Sequence, residues 1–168
     1  AYINFIWDLN NFLTLNAGSR LTYTDLGGSW SEEALVNSLL SEVSINNWAL
    51  TNTIALIYSP IKKLQLNVLL SSGFRNPNID DIGKIGENSG SLIVPNPFLK
   101  PEYAYNLDVG LSFESKNGFN KFSARGFGSL ISRHIVRSNY SIYSDKTTTD
   151  NATIIYNGEE IPTLANKN

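Results

Sequence analysis

The sequence predicts an all-β chain: a segment of an antiparallel up-and-down transmembrane β-barrel with long extracellular loops and short periplasmic turns. Three observations carry this. Apolar and polar residues alternate with period two over long stretches, the signature of strands with one apolar face. Tight turns and long connections follow each other in strict alternation. Charged residues make up only 17% of the chain, against roughly 25% in soluble domains, and Asn, Ser, Thr and Gly fill their places.

Six strands follow in order, over residues 2–9, 12–25, 48–59, 64–74, 103–114 and 119–134. The first sets Ile3, Phe5, Trp7 and Leu9 against Asn4 and Asp8. The second sets Leu13, Leu15, Ala17, Ser19, Leu21 and Tyr23 against Thr14, Asn16, Gly18, Arg20 and Thr22. The third carries Leu50, Ile54, Leu56 and Tyr58 on one face, with Asn52 among them. The fourth alternates Leu64, Leu66, Val68 and Leu70 with Gln65 and Asn67. The fifth divides most cleanly, Tyr103, Tyr105, Leu107, Val109, Leu111 and Phe113 against Asn106, Asp108, Gly110, Ser112 and Glu114. The sixth is noisier, with Phe119 and Phe127 on its polar side. A seventh strand is expected to start near Ile161.

The turns at Leu9-Asn10-Asn11, Pro60-Ile61-Lys62-Lys63 and Ser115-Lys116-Asn117-Gly118 are short. Asn117-Gly118 is the favoured dipeptide of a type I′ hairpin turn, where both central residues take positive φ. The connections 25–47, 74–102 and 135–160 are long, and loops of that length are uncommon in compact soluble domains. Outer-membrane barrels show this asymmetry between their two ends. The strands supply the roughly 9–11 residues that a tilted crossing needs. Tyr2, Trp7, Tyr23, Trp48, Tyr58, Tyr103, Phe113 and Phe119 gather near strand ends, where rings favour a membrane–water interface. The competing architecture is a soluble β-sandwich serving in surface binding or adhesion, whose strands alternate too. The two differ in solution: without detergent a sandwich melts cooperatively as a monomer, whereas a barrel segment aggregates. Six or seven strands in an open sheet leave two unpaired edges, which lipid does not tolerate. Residues 1–168 are therefore expected to be part of a larger barrel. No secretory leader opens the chain, since 1–9 lacks a basic region.

Little in the chain supports other functions. No run approaches the roughly 18 apolar residues of a spanning helix. A net charge of −2 disfavours nucleic acid as a partner. Without cysteine there are no disulfides or thiolate metal sites. No phosphate loop, dinucleotide fingerprint or calcium loop is present, so no cofactor, metal or catalytic residue is expected. The single histidine, His134, reads as a surface or strand-end residue, and Asp80-Asp81 as a solvated or capping pair. Asn139-Tyr140-Ser141 and Asn151-Ala152-Thr153 match the glycosylation pattern that arises often by chance. Ser29-Trp30-Ser31-Glu32 resembles a capping box that would start a short helix over 32–40.

The most informative segment opens Gly73-Phe74-Arg75-Asn76-Pro77-Asn78 and closes Asn96-Pro97-Phe98-Leu99-Lys100-Pro101-Glu102. Here the chain resembles the TonB-dependent outer-membrane receptors. Their barrels carry Gly-Phe-Arg-Ala-Pro-Asn at a strand end, then a long loop, then Asn-Pro-x-Leu-Lys-Pro-Glu leading into the next strand. Asn76 stands where the family usually has Ala. Asn106 and Gly110 also fall in place, and the likeness is specific over about residues 64–113. Elsewhere it is general: Leu13 to Arg20 looks like one of the family's strands, and Tyr156-Asn157-Gly158-Glu159 like a later loop. The resemblance implies a bacterial outer-membrane location and import of a scarce ligand such as a ferric siderophore or haem. It also implies a plug domain and a TonB complex as partners, through segments not recognisable in this chain. Haem receptors of the family carry a histidine between the two boxes; residues 78–95 contain none, which puts direct haem ligation by this loop in doubt.

These readings assign roles. Leu13, Leu15, Leu21, Leu64, Leu66, Val68, Leu107, Val109 and Leu111 are expected to face lipid. Arg20, Gln65, Asn67, Asn106, Asp108, Glu114 and Arg125 are expected to face the lumen or plug. Arg75, Asn76, Asn78, Asn96, Lys100 and Glu102 are candidates for a ligand-capturing loop. Pro95, Pro97 and Pro101 stiffen its descending arm. Arg75 either pairs with a carboxylate or sits in water, and the resemblance favours the pair.

Overall fold

The computed structural model describes residues 1–29, 42–141, 152–156 and 158–168. In chain order the elements are β1 (Tyr2–Asn10), β2 (Leu13–Ser29), β3 (Glu42–Ile61), β4 (Leu64–Arg75), α1 (Ile79–Gly83), β5 (Gly86–Asn88), β6 (Ser91–Ile93), β7 (Glu102–Glu114), β8 (Lys121–Ser132), β9 (Val136–Asn139), β10 (Thr153–Tyr156) and β11 (Glu159–Lys167). The chain divides into two compact units. The first comprises Ala1–Tyr23, Trp48–Phe74 and Tyr103–Ser132; the second comprises Thr24–Asn47, Arg75–Glu102 and Arg133–Asn168.

The first unit is the sheet expected from the alternation. Its strand order is β1-β2-β3-β4-β7-β8, each strand beside its neighbour among the six long ones. The registers place like beside like. Ile54 faces Leu70 and Leu56 faces Val68 across β3–β4, while Asn106 faces Ser129 across β7–β8. One face is therefore apolar, and it is the exposed one: Leu70, Leu107 and Val109 keep 53%, 46% and 46% of their surface open. A sandwich would bury these side chains. Ala49 is the one fully buried apolar residue of this unit among the described residues.

The opposite face is polar and closely fitted. A Cβ on Gly110 would lie 2.5 Å from the Asn67 carboxamide oxygen, and one on Gly18 3.0 Å from that of Asn4. At these two positions glycine leaves room for an asparagine from the adjacent strand. Ser129 donates to Asn106 (2.7 Å), Thr14 to Asp8 (2.7 Å), and the Arg125 Nε meets both oxygens of Asp108 at 2.7 Å. Lys121 lies 3.5 Å from Glu114, directly opposite it. Arg20 shares the face of Gly18, and Gln65 that of Asn67, by strand alternation.

Aromatic pairs stand at both ends of this sheet. Tyr23 and Trp48 have ring centroids 4.8 Å apart, Phe74 and Tyr103 6.3 Å, and Phe12 meets Tyr58 edge-on at 6.3 Å. From Phe12 to Tyr23, or from Trp48 to Tyr58, is the roughly 9–11 residues of one tilted crossing.

The strands outrun the alternation that predicts them: β2 has 17 residues and β3 has 20. The reason is an inversion of pattern. Tyr23, Trp48 and Leu50 are exposed, but Leu26 and Ile45 have the opposite parity and pack on buried Ile82 and Leu99. A reading that follows one apolar face stops where the face changes side.

The second unit holds what the sequence presents as long loops. Residues 74–102 contain α1 and the β5–β6 hairpin, and 135–160 contain β9 and β10. The expected seventh strand is β11, but it does not extend the first sheet. It lies in a second sheet of order β10-β11-β6-β5, with β9 also paired to it. Its pairing with β6 is parallel, Thr163 beside Leu92, the one departure from antiparallel order among the described pairs. A core of Leu92, Val94 and Ala165 forms under Tyr140, Ile154 and Ile161.

One turn assignment changes. At the β7–β8 turn Gly118 has φ +74 while Asn117 keeps negative φ, so the turn is not type I′; the Gly118 N–H donates to the Ser115 carbonyl (3.0 Å). Positive φ at both central residues occurs instead at Ser89 and Gly90, between Asn88 and Ser91 of the β5–β6 hairpin. The helix expected over 32–40 lies outside the described residues. No helix among the described residues is long and apolar enough to cross a membrane.

Charge tolerance should differ between the two faces. In lipid, Val109→Arg is expected to cost about 2–4 kcal/mol near the midplane, measured by reversible unfolding of the full-length protein. Ser112→Arg, on the polar face, should be close to neutral. Equal losses would overturn the two-face assignment.

Candidate functional site

The two motif boxes meet in the second unit. Arg75 ends β4 and Glu102 begins β7. Between them Asn78 caps α1: its side chain accepts from the Asp81 N–H (2.7 Å), and Asp81 Oδ2 accepts from the Asn78 N–H (3.0 Å). This reciprocal box supplies acceptors to two orphan N–H donors of the helix start. Asp81 thus takes the capping role that the sequence offers for the Asp80-Asp81 pair, through the spacing Asn78-x-x-Asp81.

Arg75 bridges two carboxylates. Its Nη2 lies 2.7 Å from Asp81 Oδ2 and its Nη1 3.2 Å from Glu102 Oε2. Glu102 in turn takes the Ile135 N–H on Oε1, and the same oxygen lies 2.8 Å from His134 Nδ1. Burial favours the neutral Glu102 carboxyl, but the Ile135 N–H, Arg75 and His134 outweigh it and hold the group below its ordinary range. His134 enters the cluster from a connection that gives no sequence signal beyond a lone imidazole.

Asn96 is buried and works as a structural clip. Its Nδ2 donates to the Asn166 carbonyl (2.8 Å) and its Oδ1 accepts from the Phe98 N–H (3.1 Å). Asn166 passes the connection on to the Asp81 carbonyl (3.0 Å). The Lys100 N–H donates to Asn168 Oδ1 (3.2 Å), while the Lys100 side chain is exposed. Asn76 stands apart. Its carboxamide oxygen is buried with no partner among the described residues.

Arg75 and Glu102 are thus direct partners, Asn78 joins them through Asp81, and Asn96 is tied to Asn166 instead, with Lys100 exposed beside them. Arg20, Gln65, Asn67, Asn106, Asp108, Glu114 and Arg125 lie in the first unit, apart from this cluster in the chain's division. No group of three or more potential metal ligands occurs among the described residues.

An up-and-down antiparallel sheet whose exposed face is apolar has the pattern of a membrane-barrel segment. A family model described as TonB dependent receptor-like, beta-barrel matches residues 1–161, and the chain belongs to that family, one of bacterial outer-membrane transport receptors rather than enzymes. Among solved structures, the hemophore receptor HasR of Serratia marcescens, in complex with its hemophore HasA and heme, superposes with a TM-score of 0.69. The match covers 99% of this chain and 28% of that one at 20% identity. A probable hemoglobin and hemoglobin-haptoglobin-binding protein of Haemophilus influenzae is 36% identical over 62 residues, 37% of this chain and 6% of its own length. The chain therefore spans well under a third of these relatives.

Two outcomes test the cluster. Because the folded state depresses Glu102, its stabilisation is complete above the ordinary carboxylate range and is lost as pH falls through the lowered value. The protection factor of the Ile135 amide should fall in step, and Glu102→Gln should flatten that dependence. Asn76→Ala removes an unsatisfied buried acceptor and should be neutral or stabilising by up to about 1 kcal/mol, read from unfolding of the full-length protein.

Proposed function

We propose that this chain is part of the barrel of an outer-membrane receptor that imports haem-borne iron, with energy supplied by TonB. Family membership carries the reading, together with the apolar face left exposed on the six-stranded sheet. The hemoglobin-binding relative and the haem-complexed receptor point to haem among the iron-bearing ligands of this class. Ferric siderophore remains the chemically adjacent cargo. The plug and the TonB contact lie in segments outside this chain.

Within that reading, Leu66, Val68, Leu107 and Val109 touch lipid, and Arg20, Asn67, Asn106, Asp108 and Arg125 line the lumen. The connection 74–102 is extracellular. Arg75, Asn78, Asn96 and Glu102 brace the connections, because their polar groups are already engaged within the protein. Direct ligand contact then falls to exposed groups such as Lys100 and the β5–β6 tip at Glu87 and Asn88.

Two measurements test this. A strain lacking the full-length receptor should fail to grow on haem as sole iron source and recover with the gene restored; unimpaired growth would remove haem import. These 168 residues contain no cysteine, so in a full-length receptor with any cysteine elsewhere replaced, a single introduced thiol reports topology. Asn88→Cys in the full-length receptor should react with a membrane-impermeant maleimide on intact cells, and Lys62→Cys only after the outer membrane is permeabilised. The reverse pattern would invert the orientation.

A further inference from the structure

We propose that the polar face of β1–β3 holds a site for a carboxylate of the transported ligand, with Arg20 as its cation. The inference rests on the lumen-facing, haem-receptor reading above and adds a ligand contact inside the barrel. The strand register builds the site. Asn4 stands opposite Gly18, and Tyr2 opposite Arg20, across β1–β2. The Ser59 N–H donates to the Phe12 carbonyl (2.7 Å), and counting along β2 and β3 from that pair sets Thr53 beside Gly18 and Thr51 beside Arg20. With Asn16 these side chains line a hollow of about 690 Å³, within the size range of small-molecule sites. Gly18 forms its floor, and a Cβ there would lie 3.0 Å from the Asn4 carboxamide oxygen.

The polar groups of this hollow are left open, unlike those elsewhere on the same face. Across β7–β8 the face closes on itself: Asn106 takes the Ser129 hydroxyl, Asp108 takes Arg125, and Glu114 stands beside Lys121. Asp8, the acid on the polar side of β1, takes the Thr14 hydroxyl. By contrast, the side chains of Asn4, Asn16, Thr51 and Thr53 make no hydrogen bond, and Arg20 makes no ion pair, among the described residues. The hollow therefore offers one fixed positive charge, two hydroxyls and two carboxamides, and none of its lining side chains is acidic. A guanidinium matches a carboxylate with two parallel hydrogen bonds, and hydroxyl and amide donors complete the shell of its oxygens. Tyr2, 84% exposed, adds a ring wall beside the charge. Arg20 comes three residues before Tyr23 of the aromatic pair, about 10 Å along the strand. The site thus lies near the sheet end that carries the long connections, where an entering ligand arrives first. Haem presents two propionates, and one of them meets the requirement.

The test uses the full-length receptor in detergent, titrated with ferric haem and with ferric haem whose two propionates are methyl esters. Wild type should bind the free acid about tenfold more tightly than the ester, the scale of one charge-assisted contact. Arg20→Gln should weaken binding of the acid about tenfold and leave the ester unchanged, which removes the preference. Arg20→Lys should keep part of it. Thr51→Glu sets a carboxylate beside Arg20 and should weaken the acid as Arg20→Gln does; unchanged ester binding shows that both variants are folded. Equal losses of acid and ester in Arg20→Gln, or an unchanged affinity for the acid, overturn the assignment and leave haem binding in place. Unchanged acid affinity together with a plug more easily released by urea gives the carboxylate to the plug and overturns the assignment to the ligand. A wild-type receptor that binds neither form overturns the underlying reading, and the assignment with it.

Discussion

The structure depends on where the apolar side chains of two long strands change face. In β2 and β3 the exposed apolar set ends at Tyr23 and begins at Trp48, whose rings meet at 4.8 Å. Past that aromatic pair the apolar residues Leu26 and Ile45 take the opposite parity and pack against Ile82 and Leu99. In a bilayer the cheapest place for a Leu is outward, because hydrocarbon replaces water there. In water it is inward. Under the proposed membrane reading a strand that obeys both rules inverts its pattern, and rings with one wet edge suit the level where it does so. The inversion makes the first unit a sheet with scarcely any core of its own and gives the second a buried core built from connections.

Glu102 plays the corresponding role for the connections. It is the first residue of β7 and gathers Arg75 from the end of β4, the Ile135 backbone and His134. Through Arg75 it reaches Asp81 and the cap of α1. A buried carboxylate is costly unless paired and hydrogen-bonded, so the contacts form as a set or fail as a set. This gives the two motif boxes a physical reason to occur together: one supplies the guanidinium and the helix cap, the other the carboxylate. Asn96 adds a second tie, to Asn166, which draws β11 over the same connection.

The same cluster explains how candidate residues divide between bracing and display. Arg75, Asn78, Asn96 and Glu102 have their polar groups engaged within the protein, while the side chains of Lys100 and Arg133 make no ion pair among the described residues. Polar residues on the sheet divide in another way. Asn67 over Gly110 and Asn4 over Gly18 show that two glycines in strands have a steric purpose, to seat a neighbour's carboxamide on the polar face.

By itself the sequence determined the six long strands, their neighbour-to-neighbour pairing and the division into an apolar and a polar face, because period two is a local property that survives in the chain. It also marked the two boxes that meet at Arg75 and Glu102. Only the tertiary structure decided the rest. β5, β6, β9 and β10 are short, and the pairing of β6 and β9 with β11, including the parallel β6–β11 contact, is chosen by partners far away in sequence. The type I′ turn fell at Ser89-Gly90, since strand register outweighs dipeptide preference at Asn117-Gly118. His134 gained its carboxylate from a residue 32 positions earlier (134 minus 102), a separation over which no local pattern carries information.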